Sequence, residues 1–125
     1  ELSEYFTKLT GIKNSDIGKY GIDCYKSLEL LLNFCGQMSI FSYGNDYDII
    51  RYNLNLYKIN DNRFRKWKNK FYDIIPFFEN YGINTPQYSS GTIYKITGKK
   101  FKEVSVHNAL WDVTSIFEAI KFLLK

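Results

Sequence analysis

Gln37-Met38-Ser39-Ile40-Phe41-Ser42-Tyr43-Gly44-Asn45-Asp46 is the stretch on which the fold turns. Met38, Ile40, Phe41 and Tyr43 make an apolar and aromatic run that reads as the clearest strand of the chain, 37–43, stopped by Gly44-Asn45. The period then changes. Ile49, Ile50, Asn53, Leu54 and Tyr57 recur at helical spacing, so a helix is expected over about 46–57. Asp46 is thereby placed just past the carboxyl end of a strand and at the start of a helix, where open α/β sheets bind their ligands. An acid that merely caps the helix accounts for the same position.

Working outward, Asp23 reads as the N-cap of a helix over 23–34, with Gly36 as its stop and Leu28, Leu31, Leu32 and Cys35 on its periodic face. Residues 2–9 read as the end of a helix closed by Thr10-Gly11, and 12–22 as a loop with one helical turn after Asn14 or Ser15. Downstream, 59–70 is polar and basic, and 70–72 is a weak strand. Asp73 is expected to cap a helix containing Ile74, Ile75, Phe78 and Tyr81, with Pro76 tolerated in its first turn and Gly82 at its end. Ser89 or Ser90 opens another helix to about Thr97, stopped by Gly98. A long helix closes the chain over 108–124, with Ala109, Val113, Ile116, Ile120 and Leu123 as its core stripe. The expected class is α/β with helices dominant. A single strand makes no sheet, so either partner strands lie outside this chain or the weak β segments carry more than their pattern indicates.

The chain has 125 residues, the length of one domain, and its 45% apolar and 24% charged residues exclude a disordered polymer. No apolar run approaches the ~18 residues of a membrane span, so no membrane partner is expected. Glu1 and Glu4 stand where a signal peptide carries basic residues. The first residue is not Met, which leads us to expect a fragment or a processed product. Cys24 and Cys35 fall in one helix, eleven positions and ~16 Å apart along its axis, too far for a disulfide. Two such thiols point to a reducing, cytoplasmic setting. A net charge of +4 leans weakly toward a polyanionic partner, and ordinary surface lysine is the better account of the charge alone. Arg63, Arg65, Lys66, Lys68 and Lys70 interleave with Phe64, Trp67 and Phe71, a pattern shared by single-strand binding surfaces and by solvated basic loops over core aromatics. Lys95, Lys99, Lys100 and Lys102 form a second basic group.

Val106-His107-Asn108-Ala109-Leu110-Trp111-Asp112-Val113 carries the remaining chemistry. Asp112 lies three residues after Ala109 and four before Ile116, on the flank of the expected core stripe. A carboxylate there is desolvated unless a cation or donors meet it. His107 is the only histidine. Helix capping and an acid complementing the helix dipole are the plain alternatives.

Four stretches, in order, resemble DEDDh-type 3′-5′ exonucleases of the ribonuclease H-like fold: 2–12 with its Leu9-Thr10-Gly11-Ile12 turn, Tyr43-Gly44-Asn45-Asp46, Asp73-Ile74-Ile75-Pro76, and the His107-x4-Asp112 segment. The resemblance covers essentially the whole chain and corresponds to the C-terminal two-thirds of that fold. The family's opening Asp-x-Glu strand, and the leading strands with it, have no counterpart; on the resemblance, those acids are either supplied by an upstream segment or a partner chain, or have been lost. The resemblance further implies two Mg²⁺ or Mn²⁺ ions. Asp112 would hold the one that activates water and Asp46 the other, with His107 as general base. The family pattern wants apolar residues three and four after the second acid. Ile49 and Ile50 satisfy this from Asp46, whereas Asp48 would be followed by Arg51 and Tyr52. Leu9, Thr10 and Ile12 would lie near the 3′-terminal nucleotide and Tyr43 would stack on a base, unless these four are simply core. The implied substrate is the 3′ end of single-stranded RNA or DNA. A non-catalytic nucleic-acid-binding or protein-interaction module of the same descent is the alternative.

Overall fold

In the computed structural model, which describes residues 1–101 and 108–125, the elements run α1 (Glu4–Thr10), α2 (Asn14–Tyr20), α3 (Cys24–Cys35), β1 (Ile40–Ser42), α4 (Asp46–Leu56), α5 (Asn62–Lys66), β2 (Phe71–Asp73), α6 (Ile75–Asn80) and α7 (Ala109–Leu123). Short 3₁₀ turns occupy Trp67–Lys70, Thr85–Gln87 and Ile93–Thr97. The protein is thus mixed α/β and helix-rich. It forms two compact units, Asn14–Ile74 on one hand, and Glu1–Lys13 with Ile75–Lys125 on the other. No helix among the described residues is long and apolar enough to cross a membrane.

In the Asn14–Ile74 unit, α3 forms where its caps dictate. The Asp23 carboxylate accepts from the Lys26 N–H at 2.9 Å, and Gly36 closes the helix. Leu28 and Cys35 are buried on it and Leu32 packs beside them. The residues read as a loop before it contain α2, a full two turns instead of one. The strand is shorter than expected. Only Ile40–Ser42 pairs, because its sole partner among the described residues is the three-residue β2, in parallel register Ile40↔Phe71, Phe41↔Tyr72, Ser42↔Asp73. The pleat sends Ile40 and Phe71 to the core, while Phe41 and Tyr72 stand exposed on the other face with ring centroids 5.5 Å apart.

The core of this unit is Leu28, Tyr47, Leu54, Phe64 and Trp67. Two of these come from the segment read as polar and basic. Phe64 and Trp67, three apart, turn inward together and are 0% and 1% exposed, while Arg65, Lys66 and Lys68 point to solvent. On α4 the buried face is Tyr47, Ile50 and Leu54. Ile49 and Tyr57, expected on it, are exposed.

In the other unit, α1 is a complete short helix and not the tail of a longer one. Ser3 caps it, its Oγ accepting from the Phe6 N–H at 3.1 Å, and Gly11 ends it. The helix expected from Ser89 or Ser90 contracts to the 3₁₀ turn before Gly98. α7 starts close to where it was expected, after an Asn108 cap, but presents a different face. Trp111, Ser115 and Ala119 are buried, whereas Ala109 and Val113 are exposed and Ile116, Ile120 and Leu123 are half-buried. Polar anchors cause the rotation. The Trp111 indole N–H donates to the Gly91 carbonyl at 2.9 Å, its ring meets Tyr94 and Phe101 edge-on, and the Tyr94 N–H donates to Ser115 Oγ at 3.1 Å. These bonds satisfy groups that an all-apolar stripe would have left unpaired.

Candidate functional site

The two parallel strands end side by side, and their chain exits converge. Ser42 Oγ donates to the Gly44 carbonyl at 2.7 Å, and the Ile74 N–H donates to the Ser42 carbonyl at 2.9 Å. Gly44, at φ +103°, turns its N–H onto Asp73 Oδ1 at 3.0 Å. That φ belongs to the range glycine alone adopts without strain. Asp73, read as a helix cap, is in fact the last residue of β2.

Asp46 is the first residue of α4, one position past Asn45, whose side chain makes no capping bond to the backbone. Partial burial, and then the charge of nearby Asp73, push its carboxyl above the ordinary aspartate range. Asp48 is differently engaged. Asn45 donates to one of its oxygens and Arg51 pairs with the other at 2.9 Å. The acid whose charge acts on Asp46 is therefore Asp73, whereas Asp48 belongs to an Arg51 pair.

Beside them lies a cleft of about 410 Å³ lined by Ser42, Gly44, Tyr47, Phe71 and Asp73, with Arg51 and Lys68 on its walls. A smaller neighbour of about 210 Å³ shares Tyr47 and Arg51 and adds Leu54, Asn55 and Arg65. The Tyr47 hydroxyl donates to the Arg65 carbonyl at 3.2 Å, tying α4 to α5 between the two.

Asp112 belongs to the other unit. Asn108 caps α7, accepting from the Leu110 and Trp111 N–H groups, and Asp112 follows in the first turn. Its Oδ1 is buried without a hydrogen-bond partner among the described residues, and a Cβ on Gly91 would stand 2.5 Å from it. Thr10 Oγ1 donates to the Phe6 carbonyl at 2.9 Å and accepts from the Ile12 N–H at 3.2 Å, which shapes the turn; Leu9 is half-buried and Ile12 exposed. Tyr43 is half-buried beside β1. The role expected for His107 lies outside the described residues, as do Val106 and Lys102.

Sequence reasoning named Asp73 as a helix cap within a family-like stretch and Lys68 within the basic run, but gave neither a place in the site, and it passed over Arg51. The signal for Asp73 was present, since it closes the second weak strand as Asp46 follows the first. The aromatics of 63–71 read differently now: Phe64 and Trp67 are core, so they offer no stacking surface. Arg63 is held by Asp61 and Tyr25, and Lys70 by the Gly36 carbonyl and Gln37. Arg65, Lys66 and Lys68 are exposed and have no ion pair among the described residues. Those residues also contain no group of three His, Cys, Asp or Glu side chains arranged to hold a metal. No family model, no curated protein and no solved structure matches the chain.

Proposed function

We propose that this chain is part of a metal-dependent 3′-5′ exonuclease of the DEDDh type with a ribonuclease H-like fold, acting on single-stranded RNA or DNA. The observation that carries the reading is the parallel pairing of β1 with β2, which sets Asp73 beside the strand end that Asp46 follows, with the charge of Asp73 acting on Asp46. Carboxylate oxygens are the donors that Mg²⁺ and Mn²⁺ prefer. Asp46 beside a second carboxylate, and Asp112 with an orphaned buried oxygen, each fit a cation by their own chemistry. When bound, such cations supply water activation and stabilise the leaving oxygen. His107 takes the proton of the attacking water, a task suited to a neutral imidazole. Leu9, Thr10 and Ile12 position the terminal nucleotide and Tyr43 its base. Such an enzyme also needs an Asp-x-Glu pair, for which the 125 residues hold no counterpart.

The test is 3′-end trimming of 5′-labelled single-stranded RNA and DNA in Mn²⁺, by the chain joined to the coding segment upstream of Glu1, with an EDTA control. Asp46→Asn and Asp112→Asn are expected to lose at least about 10²-fold in rate, and His107→Ala ~10²–10⁴-fold. Normal trimming by Asp112→Asn would overturn the site. A second reading, a non-catalytic nucleic-acid-binding module, is favoured by the exposed cations Arg65 and Lys68 along the clefts, since binding needs no more than these. It takes over if the joined protein binds oligonucleotides and trims none.

A further inference from the structure

We propose that the two clefts flanking Tyr47 are one groove for the sugar–phosphate backbone of a single strand, entered past Arg65 and ending at Asp73. This rests on the nuclease reading for its acidic end only. The larger cleft touches Asp73 and Lys68, the smaller touches Arg65, and both touch Tyr47 and Arg51, which fixes the order from acid to base. The acidic charges at the first end are already engaged: Asp48 by Arg51 and Asn45, and Asp73 by the Gly44 N–H. Arg65 faces the smaller cleft, whose lining holds no acid, beside an Arg51 already paired with Asp48. Arg65 and Lys68 are three residues apart across the α5–3₁₀ junction, which puts them on one side of that segment, roughly 5 Å apart along its axis. Their aromatic neighbours Phe64 and Trp67 are buried, about 100° round the segment from them, and anchor it as a mount for two outward cations. A mount of this kind meets repeating phosphates, not base edges, so the groove reads backbone and not sequence.

The measurement is fluorescence anisotropy of labelled dT12 and U12 in EDTA, from low to moderate salt, so that any metal at Asp46 and Asp73 is out of the readout. Each phosphate contact contributes about 0.7 to the slope of log K against log salt for a single strand. Arg65→Gln and Lys68→Gln are each expected to lower the slope by about 0.7, and the double variant by about 1.4. Lys66→Gln, which lines neither cleft, is expected to leave it unchanged. All three positions are exposed, and circular dichroism checks that the variants keep the native helix signal. A double variant with the native slope overturns the groove. So does a chain that binds neither oligonucleotide, or one from which a polyglutamate peptide displaces dT12 as well as unlabelled dT12 does. Failure of trimming with the slopes behaving as stated removes the nuclease reading and leaves the groove standing.

Discussion

Asp46 is more stable protonated in the folded protein than in the unfolded chain, first because part of it is buried and then because Asp73 is near. The sign follows directly. With the folded pKa raised, the folded state binds the proton more tightly, so stability from this group is greatest below the unfolded value of ~3.9 and falls as pH rises through the folded pKa. At pH 7 the whole penalty is present. Asp46→Asn is therefore expected to raise the urea midpoint at pH 7, by no more than about 1 kcal/mol for so exposed a group, and to leave it unchanged near pH 3. A lower midpoint at pH 7 would mean that a donor or cation already compensates the charge. Gly44 makes a second prediction at this scale. At φ +103° any side chain is strained, and its N–H is the donor to Asp73, so Gly44→Ala should cost about 1–3 kcal/mol in urea unfolding.

Helix α5 and the turn after it hold the largest fully buried side chains of their unit, so Phe64→Ala or Trp67→Ala should cost about 3–5 kcal/mol by denaturant titration. Val113→Ala, on the solvent side of α7, should change stability by under about 0.5 kcal/mol. The contrast shows what was legible in the sequence. Caps and stops were: Asp23, Gly36 and Gly98 act through bonds within a few residues of themselves. Both strands were legible in position too, one strongly and one weakly. Faces were not. The stripe through Val113 is as periodic as the one through Trp111, and only the distant partners Gly91 and Tyr94 decide between them. Phe64 and Trp67 were masked by the charges beside them, because an average over the segment hides an inward pair. The candidate site divides the same way. Asp46 stands out through its own neighbours, while Asp73 joins it only through a pairing that spans the unit.

At the scale of the whole molecule, acid stability has opposing contributors. Hydrogen bonds from Arg63 hold Asp61 below the ordinary range, and a hydrogen bond from Lys99 does the same for Glu118. Both contribute stability that is complete above their unfolded pKa values and is lost as pH falls through the folded ones, opposite in sign to Asp46. Arg63→Gln should therefore flatten the fall of the urea midpoint between about pH 5 and 2, and an unchanged profile would show that the exposed pair contributes nothing. The pairing of β1 with β2 has a consequence for rates as well. Ile40 meets Phe71 thirty-one positions along the chain. Closing that loop costs about 3 kcal/mol of chain entropy before the first ladder bond repays any of it. The helices on either side need no such closure, so they are expected to form early and the strands to dock onto them late. In a chevron analysis, Phe71→Ala should then steepen its effect on the unfolding limb and leave the folding limb nearly in place. The acids at the strand ends would come together only in that final step, which keeps their repulsion out of the folding barrier.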